Sequence, residues 1–199
     1  MQANYWDDLS IRIPHEFEVE ISLLVTENHR ITLEAIVKSE DEEVDQINKE
    51  WIGEDDREIV SSQISNVQRF FDDLRRVANH SALVSLVTRL DHWARRFVRQ
   101  LSLNTKKDGD HVVREIKALN ARLGEGPYPA DFFDKLVTAR DSVIHGDSRG
   151  QWERRRVAPE YINAYGELDF TERHLAEAVD RVIQQVKWYD ERITALKDA

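Results

Sequence analysis

The feature that most constrains this sequence is a helical periodicity that covers most of its length. From about Asp55 to Ala78 the apolar residues Val60, Ile64, Val67, Phe71, Leu74 and Ala78 recur at i, i+3 or i+4, which predicts one apolar stripe on one helix. Asn79-His80-Ser81 punctuates the pattern, and a new stripe runs from about Ala82 to Leu103 through Leu83, Leu86, Leu90, Trp93, Phe97 and Leu101. Two more follow, at about Asp110 to Leu123 and at Ala130 to His145, the second closed by Gly146. A last stripe opens at Thr171-Glu172 and carries Leu175, Val179, Val182, Val186, Tyr189, Ile193 and Leu196. About five helices of this kind bury their stripes by packing together, so the expected fold is mainly α, an antiparallel helical bundle over residues 55–199.

The first 54 residues read differently. Ile11, Ile13, His15, Phe17, Val19, Ile21, Leu23 and Val25 alternate with mostly polar neighbours, and the alternation resumes at Ile31, Leu33, Ala35 and Val37 after Glu27-Asn28-His29-Arg30. Period two is a strand signal, so residues 15 to 38 predict a β-hairpin appendage. Ser39-Glu40-Asp41-Glu42 then has the form of a capping box, followed by a short acidic helix with Val44, Ile47 and Trp51 that ends near Gly53.

A chain of 199 residues is long enough to bury roughly 70% of its unfolded surface without staples. The absence of cysteine excludes disulfides, thiolate metal sites and cysteine nucleophiles. No apolar run approaches the ~18 residues of a spanning helix, and the first residues lack a basic and apolar leader pattern, so a cytoplasmic protein with no membrane partner is expected. Net charge is -10, which argues against a general nucleic-acid coat but leaves room for a local basic site. Residues 39 to 58 hold ten carboxylates against Lys49 and Arg57, so most of the negative charge sits there.

No Walker loop, GxGxxG, HExxH or GxSxG is present, and no two histidines stand four apart, so neither a cofactor nor a metal site is expected. The informative segment is Leu136-Val-Thr-Ala-Arg140-Asp141-Ser-Val-Ile-His145-Gly146-Asp147. An arginine followed five residues later by a histidine near a helix end resembles the motif of the HEPN family (higher eukaryote and prokaryote nucleotide-binding domains), and the helical context over residues 55 to 197 is similar. Arg75 to His80 repeats the spacing, but without an adjacent acid or a closing glycine.

The resemblance implies a metal-independent ribonuclease, dimeric, often a toxin or defence effector with an antitoxin or regulatory protein partner. It also implies an acidic residue on a neighbouring helix; Asp91 looks like that position and would orient Arg140, or else it is a surface carboxylate beside Arg95 at i+4. The residues themselves suit this chemistry. Metal-free RNA cleavage needs a base for the 2′-OH, an acid for the 5′-oxygen and positive charge on the phosphate. Arg140 can clamp phosphate, and His145 at a helix C-terminus suits acid, base or phosphate-binding work. Five helical residues turn roughly 500°, so the two side chains stand ~140° apart. Either the arginine reaches around the helix or two copies combine their motifs.

Downstream, Arg149, Arg154, Arg155 and Arg156 make a basic loop, with Trp152 offered for base stacking. Two readings of different classes therefore stand. One is an endoribonuclease giving 2′,3′-cyclic phosphate ends through Arg140, His145, Asp141 and Asp91, with RNA as substrate in a homodimer. The other is a catalytically inactive bundle that binds a nucleotide or a protein as a sensor or adaptor.

Overall fold

The computed structural model describes residues 13–50, 57–105 and 111–197. Among them there is no β-hairpin at the front. Ile13–Ile21 forms α1, Ser22–Glu27 is a π-helical segment, and Asn28–Glu50 continues as α2, one helical run without a strand. The alternating apolar set contains a second spacing that decides this outcome. Phe17, Ile21, Val25 and His29 stand four apart and are the buried members, whereas Val19 and Leu23 of the same set lie exposed. A strict four-residue step drifts by ~40° per step on an α-helix, and the wider π-helical turn absorbs the drift and keeps Val25 and His29 pointing inward. Ser39, expected as a helix start, lies inside α2; Ile11, Trp51 and Gly53 fall outside the described residues.

The predicted break at Asn79-His80-Ser81 is likewise absent. Arg57–Gln100 is a single 44-residue helix, α3. No proline or glycine interrupts it, and residues of middling helix propensity cost only a few tenths of a kcal/mol each. Asn79 stays in the helix and binds α2 instead: its Oδ1 lies 2.7 Å from Nε2 of His29. What changes at residue 79 is the buried face. Phe71 and Ala78 face one way, while Leu83, Leu86, Val87, Leu90, Trp93, Phe97 and Val98 lie on a face turned by roughly 100°. The first half of α3 packs on α2; the second half enters the bundle with α1, α4 (His111–Leu123), α5 (Ala130–His145) and α7 (Glu172–Lys197). Arg75 bridges to Glu40 of the acidic segment, joining the two halves of the α2–α3 arm.

The mainly helical bundle expected from the stripes is thus present, and its core is continuous with the front of the chain. Phe17, Ile21 and Val25 belong to the same cluster as Leu86, Phe133 and Tyr189. The Phe17 ring meets Trp93 edge-on at 5.4 Å, and the Trp93 indole donates to Glu20 at 3.0 Å. No described helix is long and apolar enough to cross a membrane.

The arginine-rich segment after α5 is a helix, not a loop. Ser148–Arg155 forms α6, and Asp147 starts it: the carboxylate accepts from the Gly150 N–H at 3.0 Å and from Arg154 at 3.2 Å. A turn then carries the chain to α7, with an antiparallel bridge between Ile162 and Leu168. Thr171 and His174 cap α7 reciprocally, the Thr171 N–H donating to His174 Nδ1 at 3.2 Å and the His174 N–H to Thr171 Oγ1 at 3.4 Å.

Candidate functional site

The motif occupies the last turns of α5. Gly146 ends the helix in the left-handed region (φ 62°), where a side chain would be strained, and its N–H donates to the Ser142 carbonyl at 3.0 Å. His145 is therefore the final helical residue. It lies exposed, and among the described residues its ring makes no hydrogen bond or ion pair. Arg140 lies further in, about one-fifth exposed, with Nε 2.7 Å from Asp141 Oδ1.

Asp141 and His145 are four residues apart and so share one face of α5. Arg140 stands ~140° around the helix from His145, with its Nε beside the Asp141 carboxylate. Asp141 is fixed in turn: its Oδ2 accepts from Arg155 Nη1 at 2.9 Å, and Arg155 also donates to Asp134 Oδ1 at 2.8 Å. The chain Arg140–Asp141–Arg155–Asp134 stitches α6 to α5 through side chains that are each about one-fifth exposed or less.

Several sequence-predicted residues take other roles. Trp152 is 3% exposed and packs edge-on against Tyr161 at a centroid distance of 6.4 Å, so it anchors α6 and offers no face for stacking. Arg155 is committed to Asp134 and Asp141. Asp91 pairs with Arg95 one turn away at 2.7 Å, and the carboxylate against Arg140 is Asp141, its immediate neighbour. Arg149 pairs with Glu153 at 3.0 Å on the surface, Arg154 serves the Asp147 cap, and Arg156, at φ 54°, is exposed just past the helix.

His80, which the spacing argument set aside, stands beside the motif. It lines a 560 Å³ groove together with Arg76, Ser142, Gly146 and Arg149. Its Nε2 is buried without a hydrogen-bond partner, and Leu168 lines the same groove. Burial first, and then Arg76, hold its pKa below the ordinary histidine value. Tyr165 was also missed, although Asn163-Ala164-Tyr165-Gly166 carries turn residues around it. No group of three or more His, Cys, Asp or Glu among the described residues is arranged to hold a metal ion.

Comparison with protein-family models, with curated proteins and with solved structures returns no match.

Proposed function

We propose that this chain is a metal-independent endoribonuclease of the HEPN type, acting through Arg140 and His145 as a homodimer. The observation that carries the reading is that Arg140, its Nε beside Asp141, and the exposed His145 both stand in the last turns of α5, which Gly146 closes. A phosphodiester held at this helix end would meet a planar cation and an imidazole. In the reaction the ribose 2′-oxygen attacks the adjacent phosphorus, the bond to the 5′-oxygen breaks, and the products are a 2′,3′-cyclic phosphate and a 5′-hydroxyl. One proton leaves the 2′-oxygen and one reaches the 5′-oxygen, so no water or cofactor is consumed. Each copy supplies one His145, and two copies supply a group for each transfer, with Arg140 opposing the charge that grows on the phosphate.

A binding module without activity is favoured by one feature of the same site. The charge of Arg140 is already countered by Asp141, and a phosphate must compete for it. The decisive experiment incubates purified protein with mixed RNA in EDTA, comparing wild type with Arg140→Ala and His145→Ala after matching their far-UV spectra. Wild type is expected to cut and leave cyclic phosphate ends, with each variant slower by roughly 100-fold or more. Equal rates in all three would remove the nuclease and leave the binding module.

A further inference from the structure

A trench runs from the end of α5 and the facing turn of α3, along α6, to the turn that precedes α7. The groove beside His80 meets a second lobe of 500 Å³, and Arg149 and Gly166 line both. Gly146, next to His145, lines the first lobe; Arg156 and Tyr165 line the second, over the buried Trp152.

Two independent features of this trench point to a ligand. The first is Tyr165, 90% exposed on a turn that is firmly held. Asn163 Oδ1 accepts from the backbone N–H of Tyr165 at 2.9 Å and of Glu167 at 3.0 Å, and the Gly166 N–H donates to the Asn163 carbonyl at 3.0 Å. Gly166 takes φ 83°, and its Cα faces the stem of Arg149. The turn fixes the backbone that carries the ring, so a base that stacks on Tyr165 has less chain freedom to restrain. The second is charge. Arg76, Arg149 and Arg156 are set along the trench in a chain of net charge -10. The acidic partners of Arg76 and Arg149 are exposed neighbours on their own helices, pairs that phosphate readily displaces. Arg156 has no acidic partner among the described residues. Beneath the second lobe the Trp152 indole N–H is buried without an acceptor.

We infer that this trench binds single-stranded RNA, one base stacked on Tyr165 and the flanking phosphates held by Arg149 and Arg156, so that the strand leaves past Gly146 beside His145. A duplex hides its base faces in the stack, so the site selects single strands and discriminates weakly among bases. The ligand class rests on the ribonuclease reading; the placement of ring and cations does not.

The test uses a short fluorescein-labelled RNA with 2′-O-methyl riboses, which cannot form the cyclic phosphate, and the same strand annealed to its complement. Anisotropy titrations of wild type should favour the single strand over the duplex. Tyr165→Ala should bind roughly tenfold more weakly, and Tyr165→Phe within about twofold of wild type. Arg156→Gln should reduce the slope of log affinity against log salt by about 0.7, one phosphate contact on a single strand. Tyr165→Ala binding as well as wild type, or Tyr165→Phe as poorly as Tyr165→Ala, overturns the trench. So does absence of oligonucleotide binding by the folded protein, which would leave the exposed ring to a protein partner. Cleavage in EDTA, read in parallel on unmodified RNA, separates the two claims. Tyr165-dependent binding without cleavage removes the nuclease alone, and cleavage indifferent to Tyr165→Ala removes the trench alone.

Discussion

Glu115 shows how one side chain sets a pH dependence without touching the candidate site. It sits in the bundle on α4, 5% exposed, with Asp91 across from it and Arg95 at 3.8 Å. Burial, reinforced by the charge of Asp91, pushes its pKa up to about 7, and Asp190 on α7 is pushed up to about 6, also mainly by burial. A carboxyl whose pKa is higher folded than unfolded holds its proton better in the native state. Its contribution is therefore complete below the ordinary value of 4.5 and is lost as pH rises toward 7. Urea unfolding near pH 5 and near pH 7.5 should show wild type losing about 2 kcal/mol more than Glu115→Gln over that interval. A parallel pH dependence in the two proteins would contradict this. By contrast, Arg140 lies against Asp141 near the end of α5, and His145 is exposed there without a partner among the described residues. The helix end at His145 and Gly146 was legible in the sequence because periodicity and a closing glycine are local facts. Asp91, open in the sequence between orienting Arg140 and pairing with Arg95 on its own helix, takes the second role, and Asp141 lies against Arg140; the choice between carboxylates depends on which helix packs nearby. His80 and Tyr165 carried no signal strong enough to select them: one needed α3 to run unbroken past Asn79, the other a turn whose exposure only the tertiary structure reveals.

At the scale of elements, the sequence was most legible where periodicity and punctuation agreed. Ala130 to His145, closed by Gly146, and the helix opened by Thr171-Glu172 stand where they were read. It was least legible where one pattern satisfied two periods. Phe17, Ile21 and Val25 fit both the alternation of a strand and the four-residue step of a helix, and burial against Trp93 and the bundle core selects the helix. The arginines after Gly146 read as a loop because α6 has no apolar stripe; a buried tryptophan and the Asp147 cap hold its roughly two turns. The π-helical segment Ser22–Glu27 is the element on which the front of the chain turns. Inserting one alanine after the partly exposed Leu24 would add a residue beyond the drift that the π-helical turn absorbs and rotate α2 by ~100° relative to α1. His29 would then leave Asn79, and the Glu40–Arg75 bridge would open. The insertion is expected to lower the melting temperature by several degrees, roughly 2–4 °C for each kcal/mol lost, and to shift the Asn79 side-chain amide resonances. An unchanged melting temperature would show that α2 contributes nothing to stability through this register.

The whole molecule is held together by α3, which by its length of 44 residues extends ~66 Å and belongs to two environments. From Ala82 to Val98 its buried face lies in the bundle core, while from Arg57 to Val77 most of its surface is open to solvent and its neighbour is α2. Backbone hydrogen bonding is continuous along it, yet its two halves owe their persistence to different amounts of packing. Amide exchange resolves that difference. Amides of the second half should exchange only when the entire domain unfolds, and those of the first half through local opening of the arm, with the boundary near Asn79 to Ala82. Deuterium uptake followed by mass spectrometry should show that step within a single helix, and uniform protection along α3 would refute it. His80 stands at the step. The lobe it lines beside Gly146 thus has one wall anchored in the slowest-opening part of the protein and its other end, at Arg76 and Val77, rooted in the part that opens first. Any strand or peptide that bridges the two walls would hold them in register, and its presence would be read as slower exchange in the arm, some distance from the residues it touches.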